Sequence, residues 1–535
     1  MQTTDAAALG TGTADSPLPP RGPSWAPFVA VALAAVVVAT GVHGVDLPAA
    51  IYRAELFRRE GFALWDSQWY GGHWTLDYSV IFPPVAGTLG IGLTTVLSAG
   101  AAAWMFDRLA TAQFGAQARA ASLLFALGTL AQVALGQLPF LLGEAFALAA
   151  LVSLAGRRNA VAVVLALGAS LASPLAGAFL GLVAATCLIA AWPRRRLAYG
   201  ALGAASVIPV LALTAVFPGQ GAMPFGLTDF AVLLVAAGAG LLAIPSRHRS
   251  LRIAAVLYVA AILVSFALPS AVGSNISRLG ACVGVPLLAA VLWPNRRRLL
   301  VLIALPMVFV QWVPAIGSVM HNATDRSAHA AYFQPVVAYL HAHDRPQGRV
   351  EVVPTALHWE AAYVAPFIPL ARGWERQLDT ADNPHFYDGK LTAAGYRTWL
   401  VDNGVRYVAL PDVTLDYAAK REARLLRAGV PGLRAVWHNA HWRVYAVSGA
   451  PGILSGPARL TRSLGSTIRL TVTKPGTLLL RVRYSPYWTA GSRHACLTKA
   501  PGGWITIRAH RKGKLRLRLT LDAGATAACR AHGSR

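Results

Sequence analysis

Apolar runs of about 17 to 25 residues recur from Ala26 to Ile316 and then stop. Wound as a helix rising about 1.5 Å per residue, such a run crosses a hydrocarbon core of about 30 Å. Lipid cannot hydrogen-bond a peptide group, so segments like these must satisfy their backbone internally, as helices. The composition agrees: 55% of the 535 residues are hydrophobic and only 13% are charged, where soluble domains carry about 25% charged residues. An α-helical polytopic membrane domain over 26–316 is therefore expected. The roughly 220 residues that follow have ordinary composition and are long enough for one or two water-soluble cores. Residues 1–25 are Ala/Thr/Pro-rich with a single Arg and read as a disordered cytoplasmic tail. The apolar segment after them is too long for a signal-peptide core and shows no convincing cleavage site, so it is kept as the first helix.

About eleven helices are expected, near 26–45, 80–105, 120–136, 139–155, 159–172, 175–192, 198–217, 228–244, 253–269, 279–293 and 299–316. Every second connection is basic: Arg108/Arg119, Arg157/Arg158, Arg194 to Arg196, Arg247/Arg249/Arg252 and Arg296 to Arg298. The positive-inside rule places that side in the cytoplasm. With the N-terminus inside and an odd number of spans, the soluble half is extracytoplasmic. This orientation depends on 159–192 forming two spans, since one long kinked span would reverse the parity. An oxidising compartment would allow Cys496 and Cys529, 33 residues apart, to form a disulfide. Cys187 and Cys282 lie within apolar segments, where a free thiol is usually an inert small hydrophobe.

Ionisable groups at membrane depth are costly and are functional candidates by default. Asp46 ends the first helix on its outer side, and Asp229, Asn275 and Arg278 open later helices on the same side. Glu144 lies about five residues, or roughly 8 Å, inside the outer end of its helix. Between the first two apolar segments stands "LWDSQWYGGHWTLDYSVIFPP", Leu64 to Pro84, which adds Asp66, His73 and Asp77 to this set. Each has a structural reading as well. Asp46 and Asp229 suit solvated helix ends, and Glu144 suits an internal pair with Arg278, because an unpartnered buried charge costs several kcal/mol. His73 suits a packed imidazole. Trp65, Trp69, Trp74, Tyr70 and Tyr78 suit an interfacial aromatic belt, with Gly71-Gly72 as a turn. Just upstream, Leu47, Ile51, Leu56, Phe57 and Phe62 alternate with Arg53, Glu55, Arg58, Arg59 and Glu60, the pattern of a helix lying in the interface plane. The first external loop, 46–80, is thus expected to be structured.

A first helix ending in Asp, a large first external loop with juxtamembrane helices, about eleven spans and an extracytoplasmic C-terminal region resemble the GT-C superfamily of polyprenyl-phosphate-sugar-dependent glycosyltransferases. More narrowly, "VDLPAAIYRAELFRREGFALWDSQWYGGHWTLDYSVIFPP" resembles actinobacterial multispan membrane proteins related to that superfamily. The resemblance implies an acidic residue just beyond the first helix as general base, and Asp46 matches that position best. Asp66 and Asp77, in the same loop, could share or replace the role, because the tandem acidic pair of some members is missing here. It also implies a cation for the leaving phosphate, and Arg278 in "GSNISRLG" fits, since Arg binds phosphate by charge-assisted hydrogen bonds. Trp69, Tyr70, His73, Glu144, Asn275 and Asp229 complete the expected substrate-binding set. A divalent metal is possible, but no ligand spacing demands one.

Within 317–450, "GRVEVVP", "VRYVALP" and "WRVYAV" alternate with "YFQPVVAYLHAH" and "LDYAAKREARLLRAG", so a small α/β domain is expected. The long segment between them, rich in aromatics and acids, places His358, Trp359, Glu360, Arg372, Trp374 and Glu375 as candidates to cap the membrane site. Over 451–535, period-two runs predict a β-sandwich pinned by Cys496 and Cys529. This segment carries sixteen Lys and Arg against one acid, Asp522. Such a field suits anionic lipid head groups or acidic wall polymers, or is merely a solvated sheet face. No nucleic-acid motif is present. The expected function is transfer of a sugar from a polyprenyl-phosphate donor to a cell-envelope glycan or glycolipid at the outer leaflet. The competing expectations are a transporter or flippase, and a non-catalytic envelope scaffold.

Overall fold

The computed structural model describes residues 24–42, 44–219, 221–293, 295–343, 348–492 and 494–521. Most of the N-terminal tail, Asp522 and Cys529, and with Cys529 the expected Cys496–Cys529 bridge, lie outside the described residues. The chain divides into two compact units. The first comprises residues 1–50 and 76–323, the second residues 51–75 and 324–535.

The first unit is helical: Ala26–Ala39, Phe82–Leu89 continued by Ile91–Phe114, Ala118–Leu135, Leu138–Ala155, Asn159–Ala172, Pro174–Ala190, Arg196–Val216, Leu227–Ala243, Arg249–Ala267, a composite element over Gly273–Leu292, and Arg297–Thr324. By length and composition six stretches among the described residues could cross a membrane, and four shorter helices are also apolar. The stretch 159–192 is two helices. Ser173 between them is extended, as the residue before a proline prefers, and its side chain caps the second helix. The packing is inverted relative to a soluble bundle. Small residues fill the contacts, with Ala30, Ala99, Ala102, Ala121, Ala162 and Ala166 wholly buried, while Leu197 and Leu242 are more than 80% exposed. Lipid tails are as apolar as leucine, so such helices associate through close backbone approach at small residues.

The second unit joins an α/β layer to two antiparallel sheets. Its mixed sheet runs Arg349–Val352, Val405–Pro411, Trp442–Val447, Leu433–His438, with the first pair parallel and the others antiparallel. Three strands fall on the expected runs, Arg349–Val352 within "GRVEVVP", Val405–Pro411 and Trp442–Val447. Leu433–His438 was not foreseen, because its residues are nearly all part-exposed and carry no clean alternation. Helices Ala330–His343, Ala393–Asp402 and Lys420–Ala428 accompany this sheet, with Tyr396, Leu400, Val405, Val408 and Leu426 in its core. Over the segment expected to form a β-sandwich stand two four-stranded sheets. One runs Ala495–Lys499, Ile505–Ala509, Gly476–Leu480, Leu454–Ser455, the other Trp488–Ala490, Gly513–Leu519, Thr467–Val472, Ala458–Leu464. Each buries alternate residues, such as Leu478, Leu480, Ile505 and Ile507 in one and Ile468, Leu470, Leu515 and Leu517 in the other.

Candidate functional site

In the first unit, the backbone at Asp46 is held against the end of the helix Ala118–Leu135. Its N–H donates to Leu135 O at 2.9 Å. Gly44 lies so close to the same helix end that a Cβ would stand 2.3 Å from Ala134 O. Beyond Asp46 the helix Leu47–Glu60 begins, and its N-terminal dipole favours a carboxylate there. Arg278 faces it: Nη2 is 3.7 Å from Asp46 Oδ2, and the two side chains are 24% and 30% exposed. At that distance the pair is an ion pair without a hydrogen bond, open enough for a ligand to replace either partner.

Arg278 owes its place to an irregular helix. A 3₁₀ turn over Gly273–Ile276, which includes Asn275, leads into Ser277–Leu279 and then a π-helical stretch over Gly280–Gly284. Tyr258 pins the break: its hydroxyl donates to Ile276 O at 3.1 Å and accepts from Gly280 N at 3.2 Å. Such bulges are frequent at functional sites. The guanidinium also lies 5.7 Å from the ring centroid of Phe140. One turn along from Phe140, Glu144 is buried and accepts a hydrogen bond from Gln132 Nε2 at 2.9 Å. Thus Glu144 pairs with an amide rather than with Arg278. Gln311 Nε2 reaches Gly128 O at 3.2 Å and Cys282 Sγ at 3.6 Å. An apolar cavity of about 150 Å³ is lined by Leu279 and Gly280 of the same irregular element and by Val283, Tyr258, Leu251 and Met307. Phe140, Gln132, Tyr258 and Gln311 were not foreseen. The amides and Tyr258 stood out in the sequence only as polar groups inside apolar segments. Asp229 is exposed in the first turn of Leu227–Ala243, and Asp77 is buried.

The other candidates belong to the second unit. Trp65–Asp66 and His73–Trp74 form a two-stranded ribbon pairing Trp65 with Trp74 and Asp66 with His73. Tyr70, Gly71 and Gly72, all at positive φ, make its turn. This ribbon is a buried wedge. Asp66 accepts from Tyr52 Oη at 2.9 Å and Gln68 N at 3.1 Å. Trp69 stacks between Tyr52 and His73, with centroids 4.4 and 5.5 Å away. Gly373 admits Trp69, since a Cβ there would come within 2.4 Å of the indole. Tyr70 Oη donates to Glu375 O and accepts from Glu375 N. Ser67 and Gln68 bond to Gly465 O and Ser463 O, and Arg483 N donates to Gly71 O. Burial raises the Asp66 pKa to about 6 against the hydrogen bonds from Gln68 and Tyr52. It lowers that of His73 to about 3, helped by Arg53. Arg53, expected on the polar side of an interfacial helix, is itself buried and bonds Glu375 at 2.5 Å.

The candidate capping segment is also internal. His358 stacks on Trp374 at 3.5 Å, with Asp416 3.2 Å and Glu360 3.4 Å from its two ring nitrogens. Arg372 makes a two-pronged pair with Asp379 at 3.0 and 2.6 Å and stands 3.4 Å from Glu422 and 3.7 Å from Glu351. Burial raises the pKa of Glu351 and of Glu422, while for Asp379 Arg372 outweighs burial and lowers it. This pattern describes a neutralised structural cluster. Among the described residues no group of three or more His, Cys, Asp or Glu is placed to hold a metal ion.

No family model matches this chain, and no curated protein matches it. Among solved structures it is similar to ArnT from Cupriavidus metallidurans in the apo state. The identity is 14% and the TM-score 0.40, over 81% of this chain and all of that one.

Proposed function

We propose that the chain is a GT-C-type membrane glycosyltransferase that moves a sugar from a polyprenyl-phosphate donor to a cell-envelope acceptor. The observation that carries this reading is the part-exposed Asp46–Arg278 ion pair, with Leu279 next to Arg278 in sequence lining an apolar cavity. The donor phosphate takes the guanidinium, and the prenyl chain follows the cavity past Leu279. Asp46 then accepts the proton of an acceptor hydroxyl as its oxygen bonds to the anomeric carbon. The carbon–phosphate oxygen bond breaks, and the phosphate leaves with the electron pair, its charge balanced by Arg278. No step is routed through a metal. Asp77 is a second, buried carboxylate of the same unit. The membrane orientation in this reading has the N-terminus inside and both C-terminal modules outside.

Purified full-length protein offered a panel of polyprenyl-phosphate sugars tests the reading. Asp46→Asn should lower transfer by roughly 10²- to 10⁴-fold, as loss of a general base does, while donor binding persists. Arg278→Gln should weaken donor binding as well as turnover. Unchanged transfer by Asp46→Asn removes Asp46 as the base. If no lipid-linked sugar binds and a solute instead crosses reconstituted vesicles, the transporter reading replaces this one.

A further inference from the structure

The sheet built from Ala458–Leu464, Thr467–Val472, Gly513–Leu519 and Trp488–Ala490 has an outer face that no folding requirement explains. Its register sets Arg462 opposite Arg469 and Arg469 opposite Arg516, three arginines in one row across three strands. The neighbouring rows add Arg459 opposite Thr471 opposite Lys514, and Thr467 opposite Arg518 opposite Thr489. Directly opposed side chains stand about 5 Å apart at Cβ, and like charges so placed destabilise a sheet. Arg459, Arg462, Arg469, Lys514 and Arg518 are exposed, and Arg516 at the centre is half-buried, its Nε without a hydrogen-bond partner. Glu60, folded against the Gly465 turn, is the acid that acts on this face, through Arg462 at its edge. Strands about 4.8 Å apart and rows about 6.8 Å apart make a cationic field roughly 10 Å by 14 Å.

We infer that this face is a binding surface for a linear polyanion, a chain carrying phosphate or carboxylate groups such as an acidic cell-wall polymer. Among the described residues Glu60 alone acts on the five arginines and the lysine of this face, at its edge, and a ligand that supplies negative charge relieves the repulsion among the rest. A soluble chain fits better than a bilayer. Surfaces that bind lipid insert apolar or aromatic side chains between their cations, whereas the described positions between these arginines are Thr461, Thr467, Thr471 and Thr489. The inference does not depend on the transferase reading, since none of these residues belongs to the Asp46–Arg278 site.

The test uses the full-length protein in phosphatidylcholine nanodiscs, titrated with long-chain polyphosphate, polygalacturonate and neutral dextran. Binding of at least one polyanion and not of dextran is expected, weakening as salt screens the field. The triple variant Arg462→Gln/Arg469→Gln/Arg516→Gln should lose at least tenfold in affinity with an unchanged or raised Tm, because the removed charges repelled one another. The variant Lys420→Gln/Arg424→Gln/Arg427→Gln removes the same charge from exposed positions elsewhere in this unit and should bind like the parent. Equal losses in both variants would reduce the effect to net charge and overturn the inference. So would absence of polyanion binding, or tighter binding to phosphatidylglycerol vesicles than to either polymer.

Discussion

At the scale of single residues, Asp66 and His73 show how burial gives candidate site residues a measurable pH signature. They are register partners in the same ribbon, and their shifts act in opposite directions. Asp66, raised to about 6, keeps its proton in the folded state after the unfolded chain has released it. Its contribution is therefore complete at low pH and is lost as pH rises through about 6. His73, lowered to about 3, stays neutral while the unfolded chain takes up a proton, so its contribution is lost as pH falls below about 6.5. The two windows overlap within about pH 3 to 6.5 and oppose one another, so Asp66→Asn should steepen the rise of stability with pH there, by on the order of 3 kcal/mol at most, and His73→Asn should remove that rise, by on the order of 5 kcal/mol at most. Tryptophan fluorescence of the folded chain during denaturant titration across that range reads both changes. A pH profile unaltered in either variant would show that the two groups titrate with solvent. Arg372→Met should destabilise the second unit by about 3–5 kcal/mol, because it leaves Asp379 buried without its cation. Thermal unfolding in the near-ultraviolet circular dichroism checks this.

At the scale of elements, the decisive features are breaks rather than regular stretches. Gly273 has φ +41°, and a Cβ on it would stand 2.1 Å from the Met223 carbonyl oxygen. Gly273→Ala must therefore shift the 3₁₀ turn that launches Arg278. At least a tenfold loss in transfer is expected, with a strain cost of about 1–3 kcal/mol. Gly317→Ala, with no atom within 4 Å of the added Cβ, should leave both transfer and Tm unchanged. Most regular elements were legible in the sequence. Every expected apolar segment is helical, and Val405–Pro411 and Trp442–Val447 coincide with the expected runs. The composite over Gly273–Leu292 was legible as apolar but not as broken. A π-helical stretch keeps the helical periodicity of its neighbours, and only the Tyr258 hydroxyl bridging Ile276 and Gly280 marks it.

At the scale of the whole molecule, residues 51–75 fold with residues 324–535 although about 250 residues separate them. They fill the second unit with Trp65, Trp69, Trp74 and Tyr52, and Arg53 supplies the cation of Glu375. A fragment of 324–535 alone should consequently expose apolar surface and fail to unfold cooperatively. The same fragment joined through a flexible linker to 51–75 should recover a sharp transition, read by circular dichroism and dye binding. A cooperative transition of equal midpoint in the shorter fragment would show that the wedge is dispensable.

The sequence by itself determined the division into an apolar helical part and a β-rich part, the apolar segments that are helical among the described residues, and the candidate ions at helix ends. Those follow from local quantities: run length, period-two alternation and the cost of charge beside lipid. It also marked Asp46 and Arg278 singly. Only the tertiary structure decided that these two form an open pair, that Glu144 answers Gln132, and that the aromatic stretch from Leu64 to Thr75 is a buried wedge. A tryptophan costs the same few rotamers wherever it lies. Whether it faces lipid, solvent or another module depends on partners such as Gly373 and Trp488, distant in the chain, and no local pattern carries that information.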